Sequence, residues 1–281
     1  MKKSTKIVLG AAVAAKLAYL LFSPRFATRL YHSKLFKKDG DHSPEDVLAN
    51  FREYENRELR FAGSGGQQLR GWFFKHPTSD RVYLYCMGRS SDIPKNLEHV
   101  RMLLETGASV FIFEYHGFGK SEGKPTLKTV VEDAFKALGV LINDLGYATD
   151  KIVTYGESLG GGIATELHKQ FRLLGHVVQS SYTSLEGIAK EMMPVLKAYP
   201  QALFPHPRLD TAGTLSRNTT PVCVITGVHD EVIPPHHSQR IYEAAAGPKS
   251  LLLLQNSRHR DIERTDREAF VLGLSQFLRS L

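Results

Sequence analysis

Cysteine is scarce: there are two in 281 residues, Cys86 and Cys223. Neither stands at a metal-ligand spacing, so no cysteine-built metal site is expected. The chain also lacks internal repeats and low-complexity tracts. It lacks a clean apolar run of the roughly 20 residues that a membrane-spanning helix wants, because the run over residues 7–22 is interrupted by Lys16. A lysine there can snorkel, however, and three readings of this segment compete. A signal anchor is favoured over a cleaved signal peptide ending near Ala12-Val13-Ala14 and over an interfacial helix. Acidic residues are missing from the same stretch. Residues 1–40 hold nine lysines and arginines against one acid, Asp39, for a charge of +8. Against a net charge of +7 this leaves −1 for the remainder. The basicity therefore belongs to an N-terminal arm, which points to a membrane surface and away from nucleic acid. Charge flanks both sides of the run, so it gives no orientation.

What is present is ordinary globular material, 42% hydrophobic and 23% charged, enough for one large core. We divide the chain into an arm (1–30), a connector (31–56) and a main domain (57–281). In the connector, Ser43-Pro44-Glu45 reads as a helix start. Runs at 57–62 and 67–75, joined by Gly63-Ser64-Gly65-Gly66, read as a hairpin. Strands at 81–87, 109–115, 151–155, 176–180, 221–226 and 250–254 then alternate with helices at 95–105, 127–145, 159–171, 236–246 and 262–278. Such alternation predicts a mostly parallel α/β sheet covered by helices on both faces. Residues 184–207 look irregular and punctuated by proline.

Gly156-Glu157-Ser158-Leu159-Gly160 falls between a strand and a helix that begins at once. A turn that sharp holds Ser158 strained and lifted above the sheet edge, with glycines where flanking side chains would collide. The Leu159 amide then opens a helix, where a developing oxyanion is favoured. A serine nucleophile needs a base, and the base an orienting acid, from loops after later strands. Asp230 and His259 follow in that order. Glu231, beside Asp230, reads as a solvated loop carboxylate. His229, His236 and His237 read as loop or helix-start residues, and His116 and His168 as surface or turn residues.

With these residues in view, the chain resembles the α/β-hydrolase superfamily over about residues 57–281. It is most similar to small, often membrane-anchored serine hydrolases related to serine aminopeptidase and prolyl-oligopeptidase domains. The stretches that carry the resemblance are Tyr115-His116-Gly117-Phe118-Gly119-Lys120-Ser121-Glu122-Gly123, the Ser158 motif, Ser181-Tyr182-Thr183-Ser184, and Asp230-Glu231-Val232-Ile233-Pro234 with His259. It implies an α/β-hydrolase fold and a Ser158–Asp230–His259 triad. It also implies an oxyanion hole from the backbone amides of Leu159 and Arg89. The usual His-Gly after the third strand is here Met87-Gly88-Arg89, but a backbone amide does not depend on that histidine. Glu114 and His116 stand where the family has Asp and Arg, a structural adjustment. In the family's strand order Cys86 and Cys223 lie about 14 Å apart, beyond disulfide reach, so free thiols are expected.

The expected activity is acyl transfer to water from an ester, thioester or amide, with no metal or organic cofactor implied. Substrates are small-molecule or lipid acyl compounds, and the chain is expected at a membrane through its arm, or secreted if the segment is cleaved. Met192, Met193, Val195, Leu196, Tyr199, Leu203 and Phe204 in 184–207 form a short cap over an apolar acyl pocket, or simply pack in the core. The rival reading is a non-catalytic hydrolase-like scaffold that binds a lipid or protein.

Overall fold

The computed structural model describes residues 2–36, 51–89 and 92–281, with side chains from residue 11 onward. The helix start expected at Ser43-Pro44-Glu45 lies outside the described residues, as does most of the connector. Eight strands form one sheet in the order β1-β2-β4-β3-β5-β6-β7-β8. They are β1 (Glu55–Ala62), β2 (Gln68–Lys75), β3 (Val82–Cys86), β4 (Ser109–Phe113), β5 (Ile152–Glu157), β6 (Gly175–Gln179), β7 (Val222–Gly227) and β8 (Lys249–Leu254). The expected hairpin pairs β1 with β2 antiparallel, from Glu55 opposite Lys75 to Ala62 opposite Gln68. β2 is also antiparallel to β4, and from β4 to β8 every pairing is parallel.

The strand sequences follow from this placement. β3 to β7 are buried along their whole length, as parallel strands covered on both faces must be. Edge strand β1 carries the charged residues of Glu55-Asn56-Arg57-Glu58-Leu59-Arg60 and is only partly covered. Fully burying each Val, Leu, Ile or Phe of the interior strands is worth about 1.5–3 kcal/mol.

The covering helices are marked locally. Ahead of the helix Leu127–Gly139, Thr126 accepts from the Thr129 amide while Thr129 Oγ1 accepts from the Thr126 amide, a reciprocal cap. Its Leu127, Val130, Val131, Ala134 and Leu138 form the buried stripe, and the expected extension to 145 is a wider turn, Val140–Asp144. Three expectations need correction. The helix expected over 262–278 is two, Ile262–Thr265 and Arg267–Ser280, parted at Asp266. Residues 184–207, expected to be irregular, open with a helix, Leu185–Met192, capped by the Ser184 hydroxyl. A short helix, Thr211–Leu215, was not foreseen. His168 stands on a turn, one of its two expected roles, but not at the surface. It lies buried beside His176, hydrogen bonded to Thr154 Oγ1 at 2.7 Å, and burial pushes its pKa down to about 4.

Before the sheet, the arm forms helices α1 (Lys2–Leu21) and α2 (Thr28–Leu35). Among the described residues no helix is long and apolar enough to cross a membrane, so the spanning anchor expected over residues 7–22 finds no support. The arm instead rests on the main domain. The Tyr19 ring stacks on Tyr199 at 4.7 Å, the Arg25 amide donates to the Leu203 carbonyl, and Phe36 is buried edge-on to Phe118. Cys86 and Cys223 are buried free thiols on β3 and β7, three positions apart in the sheet. Burial pushes them up to about 12 and about 11.

Candidate active site

Parallel strands deliver their carboxyl ends, and the loops that follow, to one edge of the sheet. β5 ends in the turn that carries Ser158. That residue has φ 54 and ψ −117, a conformation open to few non-glycine residues, and a strained one. The turn is possible because its flanks are glycine. A Cβ on Gly156 would sit 2.5 Å from the Gly160 carbonyl oxygen, and one on Gly160 would sit 1.9 Å from the Cys86 carbonyl oxygen. The Ser158 amide donates to the Gln179 carbonyl at 2.9 Å, and Ser181 Oγ donates to the Ser158 carbonyl at 2.7 Å. Tyr182 O–H donates to the Leu159 carbonyl. The Ser181-Tyr182-Thr183-Ser184 stretch therefore braces the turn and then caps the next helix.

Ser158, Asp230 and His259 converge. His259 Nε2 lies 3.2 Å from Ser158 Oγ, and His259 Nδ1 lies 2.8 Å from Asp230 Oδ2. The carboxylate can only accept, so Nδ1 carries the proton and Nε2 is the acceptor facing the serine hydroxyl. The other carboxylate oxygen of Asp230 accepts the amides of Val232 and Ile233 at 2.9 and 2.8 Å. This explains why the acid opens Asp230-Glu231-Val232-Ile233-Pro234: the loop folds around the carboxylate and fixes its rotamer. Glu231 and His229 are exposed, and His236 and His237 meet Glu191, not Ser158.

The loop holding His259 is tied down by a residue that the sequence reading missed. Asp266, at the break between the last two helices, accepts the Asn256 amide at 2.8 Å, Asn256 Nδ2 at 2.9 Å and Ser257 Oγ at 2.6 Å. Burial works to raise its pKa, but these hydrogen bonds outweigh it and hold the carboxyl below its ordinary value. A polar residue interrupting an otherwise helical pattern was the signal available.

Leu159 opens its helix, so its amide has no partner within that helix. The loop after β3 approaches closely: a Cβ on Gly88 would lie 3.5 Å from Ser158 Cβ. Arg89 lines the same cavity as Ser158, and its guanidinium donates to the Lys34 carbonyl at the end of α2 at 2.6 Å. Behind the serine lies an unforeseen buried polar cluster. Tyr85 O–H donates to Glu157 Oε2 at 2.7 Å, His99 Nε2 meets Tyr155 Oη at 2.6 Å, and Tyr155 O–H donates to Gln179. Burial keeps both tyrosines protonated. The departures at 114 and 116 are structural. Buried Glu114 accepts the Ile93 and Lys120 amides, and His116, on a turn as one of its two expected roles had it, is buried and pairs with Asp133 at 2.6 Å.

The cavity beside Ser158 has a volume of about 540 Å³, within the range of about 300–1,000 Å³ usual for ligand sites. Of the seven cap side chains singled out, Met192, Met193, Leu196 and Phe204 line it. Val195 is exposed, Tyr199 stacks on Tyr19, and the Leu203 carbonyl receives the arm. One cluster with metal-ligand potential exists among the described residues, Glu191 with His236 and His237. There the Thr183 amide donates to His237 Nδ1 at 3.2 Å, leaving Nε2 as the donor to Glu191. The arrangement is a hydrogen-bonded clip from the cap helix to the helix His236–Ala244.

The family described as Serine aminopeptidase, S33 matches residues 78–211. An uncharacterized protein of Mycobacterium tuberculosis is 30% identical over 224 residues, spanning 79% of each chain. The alpha/beta hydrolase domain-containing protein WAV2 of Arabidopsis thaliana is 28% identical over 207 residues, 67% of this chain and 66% of that one. A solved esterase of Pyrococcus furiosus superposes with a TM-score of 0.70 at 18% identity, covering 87% of this chain and 97% of its own. With the sheet order and the serine turn, these relationships establish that the chain belongs to the α/β-hydrolase superfamily.

Proposed function

We propose that the protein is a serine hydrolase that cleaves carboxylic esters or thioesters, and amides more slowly, through an acyl-enzyme on Ser158. The observation that carries this reading is the chain of two hydrogen bonds, Ser158 Oγ to His259 Nε2 and His259 Nδ1 to Asp230. As Oγ attacks the acyl carbon, His259 Nε2 takes its proton, and Asp230 stabilises the imidazolium. The oxyanion is received by the amides of Leu159 and Arg89. Collapse expels the alcohol, thiol or amine, which takes the proton back from His259. Water, deprotonated by the same nitrogen, then releases the acid and restores Ser158.

A non-catalytic scaffold would have no use for a strained serine aimed at an oriented histidine. The discriminating assay is a pre-steady-state burst with p-nitrophenyl butanoate. One equivalent of nitrophenol should appear ahead of turnover and vanish in Ser158→Ala. A folded protein without burst or turnover on this ester and on thioester analogues would return the scaffold reading.

The arm also favours an interfacial location. Leu17, Leu21, Phe22, Phe26 and Leu30 are exposed beside Arg25 and Arg29, a pairing suited to the boundary of an anionic lipid surface. Flotation with phosphatidylglycerol vesicles should carry the full chain, and Phe22→Ser with Phe26→Ser should reduce it. Equal flotation of the two would count against this location.

A further inference from the structure

Resting on the serine hydrolase reading, the make-up of the cavity narrows the substrate class. Its 28 described lining residues include five lysines and arginines and no aspartate or glutamate. Those cations are Arg29, Lys34, Arg89, Lys124 and Lys128, and all except Arg89 are exposed, so they stand toward solvent. Leu127, Leu196 and Phe204 are buried within the same wall. The site is thus apolar inside and cationic outside. Lys128 shares its charge with Glu132 at 3.7 Å, but Arg29, Lys34 and Lys124 have no carboxylate within 4 Å among the described residues.

The arm supplies part of both zones and is held in register to do so. His32 Nε2 meets the Pro125 carbonyl at 3.0 Å, and Arg89 donates to the Lys34 carbonyl, joining the arm to the loop beside Ser158. Arg29 and Lys34 therefore stand at the mouth because α2 is seated, not by chance proximity.

We propose that the substrate is a single-chain amphiphile, a long unbranched acyl ester or thioester carrying an anionic head. The chain lies along Leu127, Leu196 and Phe204, and the head, a phosphate or a carboxylate, stays at the wet mouth among Arg29, Lys34 and Lys124. Among its described residues this lining offers a free amine no carboxylate to meet. This separates the chain from the aminopeptidase activity named in its family's description, because an ammonium brought up to these cations is repelled.

The test compares kcat/KM at low and moderate salt for three dodecanoyl esters and their butanoyl counterparts. The alcohols are glycerol 3-phosphate (anionic), glycerol (neutral) and choline (cationic), and leucine p-nitroanilide represents free-amine substrates. Each methylene buried is worth about fourfold, so the dodecanoyl esters should exceed the butanoyl esters by at least 10²-fold. The phosphate ester should exceed the choline ester by about tenfold or more, and salt should shrink that ratio. Arg29→Glu with Lys124→Glu should lower the phosphate-to-choline ratio to one or below, while the chain-length ratio persists. Being ratios, these readouts survive any general loss of activity, and a thermal melt of the double variant checks its fold.

A choline ester as good as the phosphate ester, or a ratio unmoved in the folded double variant, would overturn the anionic head. Equal rates on butanoyl and dodecanoyl esters would overturn the chain. Preference for leucine p-nitroanilide would overturn both. If nothing is hydrolysed and Ser158 takes no acyl group, the hydrolase reading itself falls and this assignment with it.

Discussion

Gly160→Ala adds one methyl group, and its consequence can be worked from the backbone. The new Cβ would lie 1.9 Å from the Cys86 carbonyl oxygen and 2.6 Å from that of Met87. A carbon sits no closer than about 3.3 Å to a carbonyl oxygen in comfortable contact, so the turn and the end of β3 must separate by roughly 1.4 Å. Neither neighbour is a flexible side chain that can swing away. The same two segments carry Ser158 with Leu159 and Gly88 with Arg89, so the displacement would open the proposed oxyanion hole between them. Misplacement of about 1 Å can cost about 10²-fold in rate, and overpacking of this kind costs about 1–3 kcal/mol of stability. The assay is the rate of fluorophosphonate labelling of Ser158 beside a thermal melt. Labelling should slow by about two orders of magnitude, with a melting temperature lower by several degrees. Gly139→Ala is the matched control. It sits in the helix Leu127–Gly139, where the added carbon meets nothing nearer than Asn143 Nδ2 at 3.8 Å. It should leave labelling alone and stabilise the chain by up to about 1 kcal/mol. If Gly160→Ala labels and melts like the parent chain, the close approach of the turn to β3 is wrong, and so is the oxyanion hole built upon it.

Three further outcomes follow from the geometry. His259→Ala should lose about 10⁴–10⁶ in ester turnover, whereas His229→Ala and His236→Ala keep most of it; the reverse pattern in steady-state assays would displace His259 as the base. Asp266→Ala should lower kcat about tenfold with KM little changed, because it frees the loop ahead of His259 without touching substrate, and a fall confined to KM would contradict this. His168 concerns stability: with a folded pKa pushed down to about 4 from an ordinary 6.5, it contributes fully above pH 6.5, and that contribution is lost as pH falls toward 4, since the unfolded chain takes the proton first. Urea unfolding of His168→Gln should therefore vary less steeply between pH 6 and 4.5, by about 1.4 kcal/mol per pH unit, and parallel curves would show that His168 is not held neutral.

Much of this arrangement was legible because it is written in local chemistry. The alternation of apolar runs with capped helices gave the parallel sheet, and the glycines around Ser158 announced a turn that no side chain at 156 or 160 permits. Asp230 and His259, picked out by their order after strands, lie within hydrogen-bond reach of each other and of Ser158. What escaped depends on long-range contact. Nothing near Asp266 in sequence shows that it holds Asn256 and Ser257, and nothing near residue 29 or 34 shows that the arm folds onto the mouth of the cavity. The burial of the turn residues His116 and His168 escaped for a related reason: a histidine reads as polar until its partner, Asp133 or Thr154, is known. The apolar run in the arm was read by its composition, but among the described residues its helix is not long and apolar enough to cross a membrane.

The most direct measurement of the central claim is covalent labelling of the full chain with a fluorophosphonate, mapped by peptide mass. A serine activated by His259 and Asp230 should take one label per chain, on the peptide containing Ser158, with labelling abolished in Ser158→Ala and slowed by orders of magnitude in His259→Ala. Folded protein that takes no label, or a Ser158→Ala variant that labels as well as the parent, would contradict it.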